Sequence, residues 1–149
     1  MMNFKIRPLE TQDLDKSSFL ETLSNLSDVK NLSTKQAQEI FSMASGQGVY
    51  FLVAICEEGE HQGEIVATVK LIIEPKFFHG GKSAGHIEDV VTRYGFEGQG
   101  LSKALLQEAI KIAKENNCYK LILDCKKELL PFYAKSGFKE HGICLRLDF

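Results

Sequence analysis

The stretch from Gly85 to Leu106, GHIEDVVTRYGFEGQGLSKALL, constrains the fold of this chain more than any other. A β-branched run closes at Val91, a short loop carries Gly95, Gly98 and Gly100, and an apolar-periodic helix starts near Leu101. The pattern predicts strand, glycine loop and helix in succession. Such a loop can present several backbone N–H groups to one anion, because glycine admits close approach and the first helical turn leaves its amides unpaired. Two better-known phosphate motifs do not fit. A dinucleotide fingerprint needs a third glycine where Lys103 stands, and a Walker loop through Gly80, Gly81, Lys82 and Ser83 would need its first glycine at Lys76.

The 149 residues predict one domain, 1–149, with room for a substantial core. With 18 basic and 20 acidic residues the chain has no overall pull toward nucleic acid or membrane, so any anion must be captured locally. The four cysteines, Cys56, Cys118, Cys125 and Cys144, have neither CxxC spacing nor a histidine at metal-ligand spacing; they read as reduced, mostly buried thiols, and no metal is expected. No signal-peptide-like or membrane-length apolar run is present, which predicts an intracellular, cytoplasmic protein.

Elsewhere the periodicities alternate. Phe4, Ile6 and Pro8 suggest a first strand, and Thr11 can cap a helix reaching Leu26 through Leu14, Phe19, Leu20 and Leu23. Ser33 and Thr34 cap a second helix with Ala37, Ile40, Phe41 and Ala44 inward. Two strands, Val49 to Cys56 and Glu64 to Glu74, flank the turn EEGEHQG, and another strand is centred on Ile87 to Val91. The long helix Leu101 to Asn116 buries Leu101, Leu105, Ala109 and Ile112, with Ala104 and Ile110 widening the face. Tyr119 to Cys125 reads as a central strand covered on both faces, Glu128 to Lys135 as a short helix ended by Gly137, and Phe138 to Phe149 as closing strand pieces. This is an α/β chain: a mixed central sheet with helices on both faces.

The order of elements and the loop resemble the GNAT-type N-acetyltransferase superfamily, whose fold binds acyl-CoA. Its loop pattern, Gln/Arg-x-x-Gly-x-Gly/Ala, falls on Glu97, Gly98, Gln99, Gly100, Leu101 and Ser102; the central glycine matches, while Glu97 and Ser102 depart from it. More specifically, KFFH (Lys76 to His79), HIEDVV (His86 to Val91), EGQGLSK (Glu97 to Lys103), CYKLILDC (Cys118 to Cys125) and FYAKSGF (Phe132 to Phe138) are similar, in order and spacing, to the blocks of the glucosamine 6-phosphate N-acetyltransferase family. LSNLSDV (Leu23 to Val29) adds a looser match.

That resemblance implies a homodimer that acetylates glucosamine 6-phosphate from acetyl-CoA, yielding N-acetylglucosamine 6-phosphate for UDP-N-acetylglucosamine synthesis. It places Asp89, Val90 and Val91 beside the acetyl and pantetheine groups, and Glu97, Gly98, Gln99, Gly100, Leu101, Ser102 and Lys103 around the pyrophosphate. It implicates Ser27, Lys76, Phe77, Phe78, His79, Glu88, Asp89, Tyr119, Lys120, Asp124 and Arg146 in the sugar phosphate. It also places Tyr133 at the coenzyme sulfur.

Acetyl transfer needs a deprotonated amine, a polarised thioester carbonyl and a proton for the thiolate. Glu88 and Asp89 are candidate catalytic carboxylates; as neighbours on a strand they should point to opposite faces, so only one meets the amine. Asp124 interrupts the apolar run LILDC, where a buried carboxylate needs a partner. Tyr133 offers a phenol, protonated at neutral pH, as donor to the thiolate; its alternative is a packed aromatic. Val90 and Val91 N–H groups at a splayed strand end can polarise the carbonyl. Direct attack in a ternary complex is expected, with Cys125 beside Asp124 the one position that leaves a covalent acetyl carrier open. Two alternatives remain at this level: a GNAT-type enzyme for another amine, such as a polyamine or protein lysine, and a non-catalytic acyl-CoA-binding module.

Overall fold

The computed structural model describes residues 1–149. Five strands, β1 (Phe4–Pro8), β2 (Val49–Cys56), β3 (Ile65–Glu74), β4 (Ser83–Thr92) and β5 (Cys118–Ile122), form one sheet in the order β1-β2-β3-β4-β5. The first three pairings are antiparallel and β4–β5 is parallel, so the sheet is mixed as expected. Pro8 sits at the end of an edge strand, where its missing N–H breaks no ladder.

Helices cover both faces. Helix α3 (Leu101–Glu115) makes the crossover between the parallel strands and buries Leu101, Leu105, Leu106, Ala109 and Ala113 on Leu52, Ala54, Val69, Leu71 and Ile87. Each fully buried leucine contributes roughly 1.5–3 kcal/mol of transfer free energy. Leu106 and Ala113, not Ile112, carry that face with Leu101, Leu105 and Ala109; Ile112 is half-buried. At Gly85 an added Cβ would come within 2.6 Å of Leu121 Cδ1, so the close approach of β4 to β5 requires glycine there. On the other face, helices α1 (Ser18–Ser24) and α2 (Thr34–Ala44) bury Phe19 and Ala37 against Val53 and Ile65. Ser33 caps α2 through a reciprocal box with Gln36.

Several expectations are corrected. The helix from Thr11 is a 3-10 turn, Thr11–Asp15, broken from α1 by an extended Lys16. Asp13 turns back to accept from the Glu10 N–H at 2.8 Å and from two Arg7 guanidinium nitrogens at 2.7 and 2.8 Å, which starts this turn and ties it to β1. Helix α1 then aims Ser18 and Thr22 at the sheet, and Leu26 is exposed rather than inward. Ile40 is also exposed, because α2 buries only Ala37 fully. The strand at Tyr119 is neither central nor doubly covered: β5 is the half-buried sheet edge and ends at Ile122. Phe138 to Phe149 forms no strand and pairs with none of the five, and Ile143, Leu145, Leu147 and Phe149 stand exposed. All four cysteines are free, yet only Cys56 is buried. No helix is long and apolar enough to cross a membrane.

Candidate active site

Unequal strand lengths open the site. Strand β5 pairs with β4 only from Ser83–Cys118 to His86–Ile122, while β4 continues six residues further against β3. From Ile87 to Thr92, one edge of β4 therefore has no strand beside it, and its backbone polar groups face a wedge between β4 and the chain beyond Ile122. The glycine loop and the first turn of α3 follow the end of β4 along the chain, and helix α4 (Leu130–Ala134), which carries Tyr133, follows the end of β5.

Within the unpaired edge the strand is irregular. Thr68 faces Val91 and Lys70 faces Glu88, so Asp89 and Val90 share the position opposite Val69: a β-bulge. Asp89 takes the left-handed conformation, φ 53°, uncommon for a residue with a side chain. The regular alternation expected of Glu88 and Asp89 does not hold across the bulge. The Asp89 carboxylate lies 3.0 Å from Lys70 Nζ, whereas Glu88 has no hydrogen-bond or ion-pair partner. Burial, then Asp124 and Asp89, push the Glu88 carboxyl above the ordinary glutamate value against the weaker pull of Lys70 and His86. Lys70, the single cation in IVATVKLIIE, was the legible signal for this partner, and the sequence reading missed it.

Asp124 is exposed beyond the end of β5, so the burial that was to demand a partner is absent. It remains close enough to raise both Glu88 and Tyr133 electrostatically. Tyr133 is 7% exposed, its ring packed edge-on against Phe132 and Phe138. Its hydroxyl has no protein partner and yet is not sealed from solvent. Burial chiefly, with Cys125 and Asp124, raises its pKa, which keeps the phenol protonated at neutral pH.

The loop is shaped as an anion cradle. Gly95, Gly98 and Gly100 all have positive φ, and Gly100 caps α3 in the left-handed region with no side chain over the amides of Leu101, Ser102 and Lys103. Ser102 Oγ lies 2.9 Å from Thr92 Oγ1, tying the helix start to the strand end, and Gln99 Oε1 accepts the Met2 N–H. Glu97 folds back, its Oε2 accepting the Gly95 N–H at 2.8 Å. Its charge therefore stays in the loop.

A second cluster gathers at the opposite end of β5. The His79 ring stacks on Tyr119 at 4.1 Å, Lys120 Nζ lies 5.5 Å from the same ring, and Lys76 pairs with Glu74 at 2.6 Å. Glu74 also holds His86, so its carboxyl sits below the ordinary value and Lys76 above. Phe77 and Phe78 beside them are exposed. Ala84 is opposite Lys120, so this cluster lies about 13 Å along β4 from Glu88 at ~3.3 Å per residue. Ser27 is exposed just after α1, and Arg146, 82% exposed, meets only Asp148. One chain thus assembles Glu88, Asp89, Asp124, Tyr133 and the cradle, but not Arg146. No three His, Cys, Asp or Glu side chains converge as a metal site.

A sequence profile of the acetyltransferase (GNAT) family matches residues 15–138. The chain belongs to the GNAT acetyltransferase family. Within that family its similarity is to glucosamine 6-phosphate N-acetyltransferases: it is 40% identical to the one from Trypanosoma brucei brucei over 99% of this chain and 97% of that one. The Arabidopsis thaliana enzyme of that name is 36% identical over 94% of this chain and 93% of its own length. The crystal structure of glucosamine-6-phosphate N-acetyltransferase from Arabidopsis thaliana superposes with TM-score 0.90, 35% identity and 99% of both chains covered. A Trypanosoma brucei acetyltransferase structure gives the same TM-score at 39% identity, covering 99% of this chain and all of that one. The GNAT fold read from the loop and element order is the fold of these relatives.

Proposed function

We propose that this chain, as one domain over 1–149, transfers the acetyl group of acetyl-CoA to the amine of glucosamine 6-phosphate, giving N-acetylglucosamine 6-phosphate and CoA. The observation that carries the reading is the bulged, unpaired edge of β4. It leaves a partnerless, pKa-raised Glu88 on the strand that runs into the glycine loop, with Asp124 near enough to act on both Glu88 and Tyr133, whose hydroxyl is unbonded. The reaction belongs in the cytoplasm, where free thiols such as these persist.

Acetyl-CoA enters as a substrate. The amides of Gly98 to Lys103 take its pyrophosphate, Leu101 to Lys103 lying at the positive end of the α3 dipole. The thioester lies along Asp89 to Val91, whose backbone N–H groups polarise the carbonyl. Glu88 accepts a proton from the sugar ammonium, a task suited to a carboxylate with a raised pKa, and Asp124 and Asp89 hold the acceptor's polar groups. The free amine attacks the carbonyl carbon, the C–N bond forms as the C–S bond breaks, and Tyr133 gives its proton to the departing thiolate. The proton that the nitrogen sheds in becoming an amide returns to the Tyr133 phenolate through solvent, and Glu88 releases the ammonium proton to water. The attack is direct.

The phosphate end calls for cations, and here a homodimer completes the reading. Lys76, His79, Tyr119 and Lys120 sit too far along β4 from their own Glu88 to share one hexose phosphate with it comfortably, and Arg146 lies on an exposed tail. That tail alternates Ile143, Leu145, Leu147 and Phe149 with polar residues, a strand pattern lacking a partner, and β5 is a free sheet edge. A second copy would supply both the missing strand partner and the missing cations, with Ser27, Phe77 and Phe78 lining the shared pocket.

The test is thiol release from acetyl-CoA with glucosamine 6-phosphate, glucosamine and a polyamine in parallel. Release that depends on the phosphorylated sugar is the expected result. Release with the polyamine alone would assign another acceptor, and tight acetyl-CoA binding without release would make the chain a binding module.

A further inference from the structure

Four residues before the cradle carry an anchoring network that the reaction chemistry does not use. Arg93 leaves β4 with its N–H donated to the Val66 carbonyl at 2.8 Å. Its guanidinium then spans two carboxylates from separate elements, Glu64 before β3 at 2.5 Å and Glu21 on α1 at 2.9 Å, and lies 6.0 Å from the Phe96 ring centre. The His61 ring meets Phe96 edge-on at 5.2 Å, and His61 Nδ1 lies 3.2 Å from Glu64. One residue on, the Tyr94 N–H donates to Asn25 Oδ1 at 2.6 Å, Asn25 being the residue that closes α1. The Phe96 N–H returns to the Arg93 carbonyl at 3.0 Å.

Side chains from two other parts of the chain, α1 with its cap and the turn before β3, thus converge on residues 93–96, while the glycines that follow are unconstrained by packing: a Cβ at Gly98 or Gly100 would meet nothing within 4 Å. Glycine-rich backbone loses the most conformational entropy when ordered, so its amides gain most from an externally fixed entry point. We infer that Arg93 is a positioning residue for coenzyme binding: by bridging Glu64 and Glu21 it fixes the entry of the glycine loop, so that the cradle amides are oriented before the pyrophosphate arrives. Lysine cannot reproduce this bridge, because a single ammonium lacks the planar fork that meets two carboxylates at once. The bridge to Glu21, together with the Tyr94–Asn25 bond two residues from Ser27, joins the loop to α1, so coenzyme and acceptor sides share one anchor.

The inference rests on the reading of this loop as the pyrophosphate cradle, and its test uses CoA binding, which needs no acceptor. Titration calorimetry with CoA should show Arg93→Ala weakening Kd by about tenfold or more, Arg93→Lys recovering only part of it, and Glu21→Gln and Glu64→Gln each giving a smaller loss. In steady state the KM for acetyl-CoA should rise much more than kcat falls. Amide exchange in the ligand-free Arg93→Ala protein should quicken over 94–100 but not in α3. Unchanged CoA affinity in a folded Arg93→Ala protein would overturn the inference, as would full recovery by lysine. If Arg93→Ala does not fold, unchanged affinity in both glutamine variants overturns it instead. CoA binding by the wild-type chain without transfer to glucosamine 6-phosphate would defeat the proposed reaction and leave this inference standing; failure to bind CoA would remove both.

Discussion

Lys70 Nζ lies 3.0 Å from the Asp89 carboxylate, and that pairing divides the labour between two adjacent acids. Asp89, held in a left-handed bulge, is neutralised by its cross-strand lysine, while Glu88 keeps its lone pairs free and its pKa raised.

Glu88→Gln should therefore lower kcat by about 10²- to 10⁴-fold, the usual worth of a positioned general base. The same change should stabilise the fold at neutral pH. Folding raises the Glu88 pKa, so its contribution is fully present below the unfolded value near about 4.3 and is lost as pH rises through the folded value. Melting curves should place the variant above wild type at pH 7 and level with it below about pH 4. A variant equally active, or less stable at neutral pH, contradicts the assignment.

Tyr133→Phe preserves the ring packed on Phe132 and Phe138 and removes only an unbonded hydroxyl. We expect a melting temperature close to wild type, kcat reduced by about 10²-fold or more, and a KM for acetyl-CoA nearly unchanged. Unaltered turnover in a thiol-release assay would leave Tyr133 as a packing residue alone.

Glu97→Gln retains an acceptor for the Gly95 N–H but deletes a negative charge from the cradle. CoA affinity should improve by up to about fivefold at low salt, with the gain shrinking as ionic strength rises. Calorimetry at two salt concentrations decides it; no improvement at low salt would mean that the carboxylate lies outside the pyrophosphate's field.

Arg7→Ala leaves Asp13 buried without its bidentate partner and should cost about 3 kcal/mol, read from denaturant unfolding. Burial would raise the Asp13 pKa, but the Arg7 hydrogen bonds, the Glu10 N–H and the Arg7 charge outweigh it and hold it below the ordinary value. Its stabilisation is thus present above the unfolded value of about 3.9 and fades as pH falls through the folded one, so the gap between variant and wild type should close in acid.

Arg146→Ala should raise the KM for glucosamine 6-phosphate by about tenfold with little effect on acetyl-CoA. A similar loss toward unphosphorylated glucosamine would place Arg146 away from the phosphate.

Local pattern alone determined much of this protein. The alternation of Phe4 to Pro8, the β-branched and aromatic run of Val49 to Cys56, the Ser33 cap and the periodicity of Leu101 to Glu115 are local effects, written in residues a few positions apart. The strand, glycine loop and helix around Gly100 were legible for the same reason, since positive φ and unpaired amides follow from residue type. What needed the tertiary structure depends on partners distant in sequence. The bulge at Asp89 exists only in register with β3, and the site opens only because β5 stops at Ile122 while β4 continues. The same dependence misled the reading of Asp124, whose apolar neighbours suggested a buried central strand where the sheet has an exposed edge. The tail from Phe138 shows the limit of pattern: alternation specifies a strand's two faces, but a strand forms only where another backbone completes its hydrogen bonds.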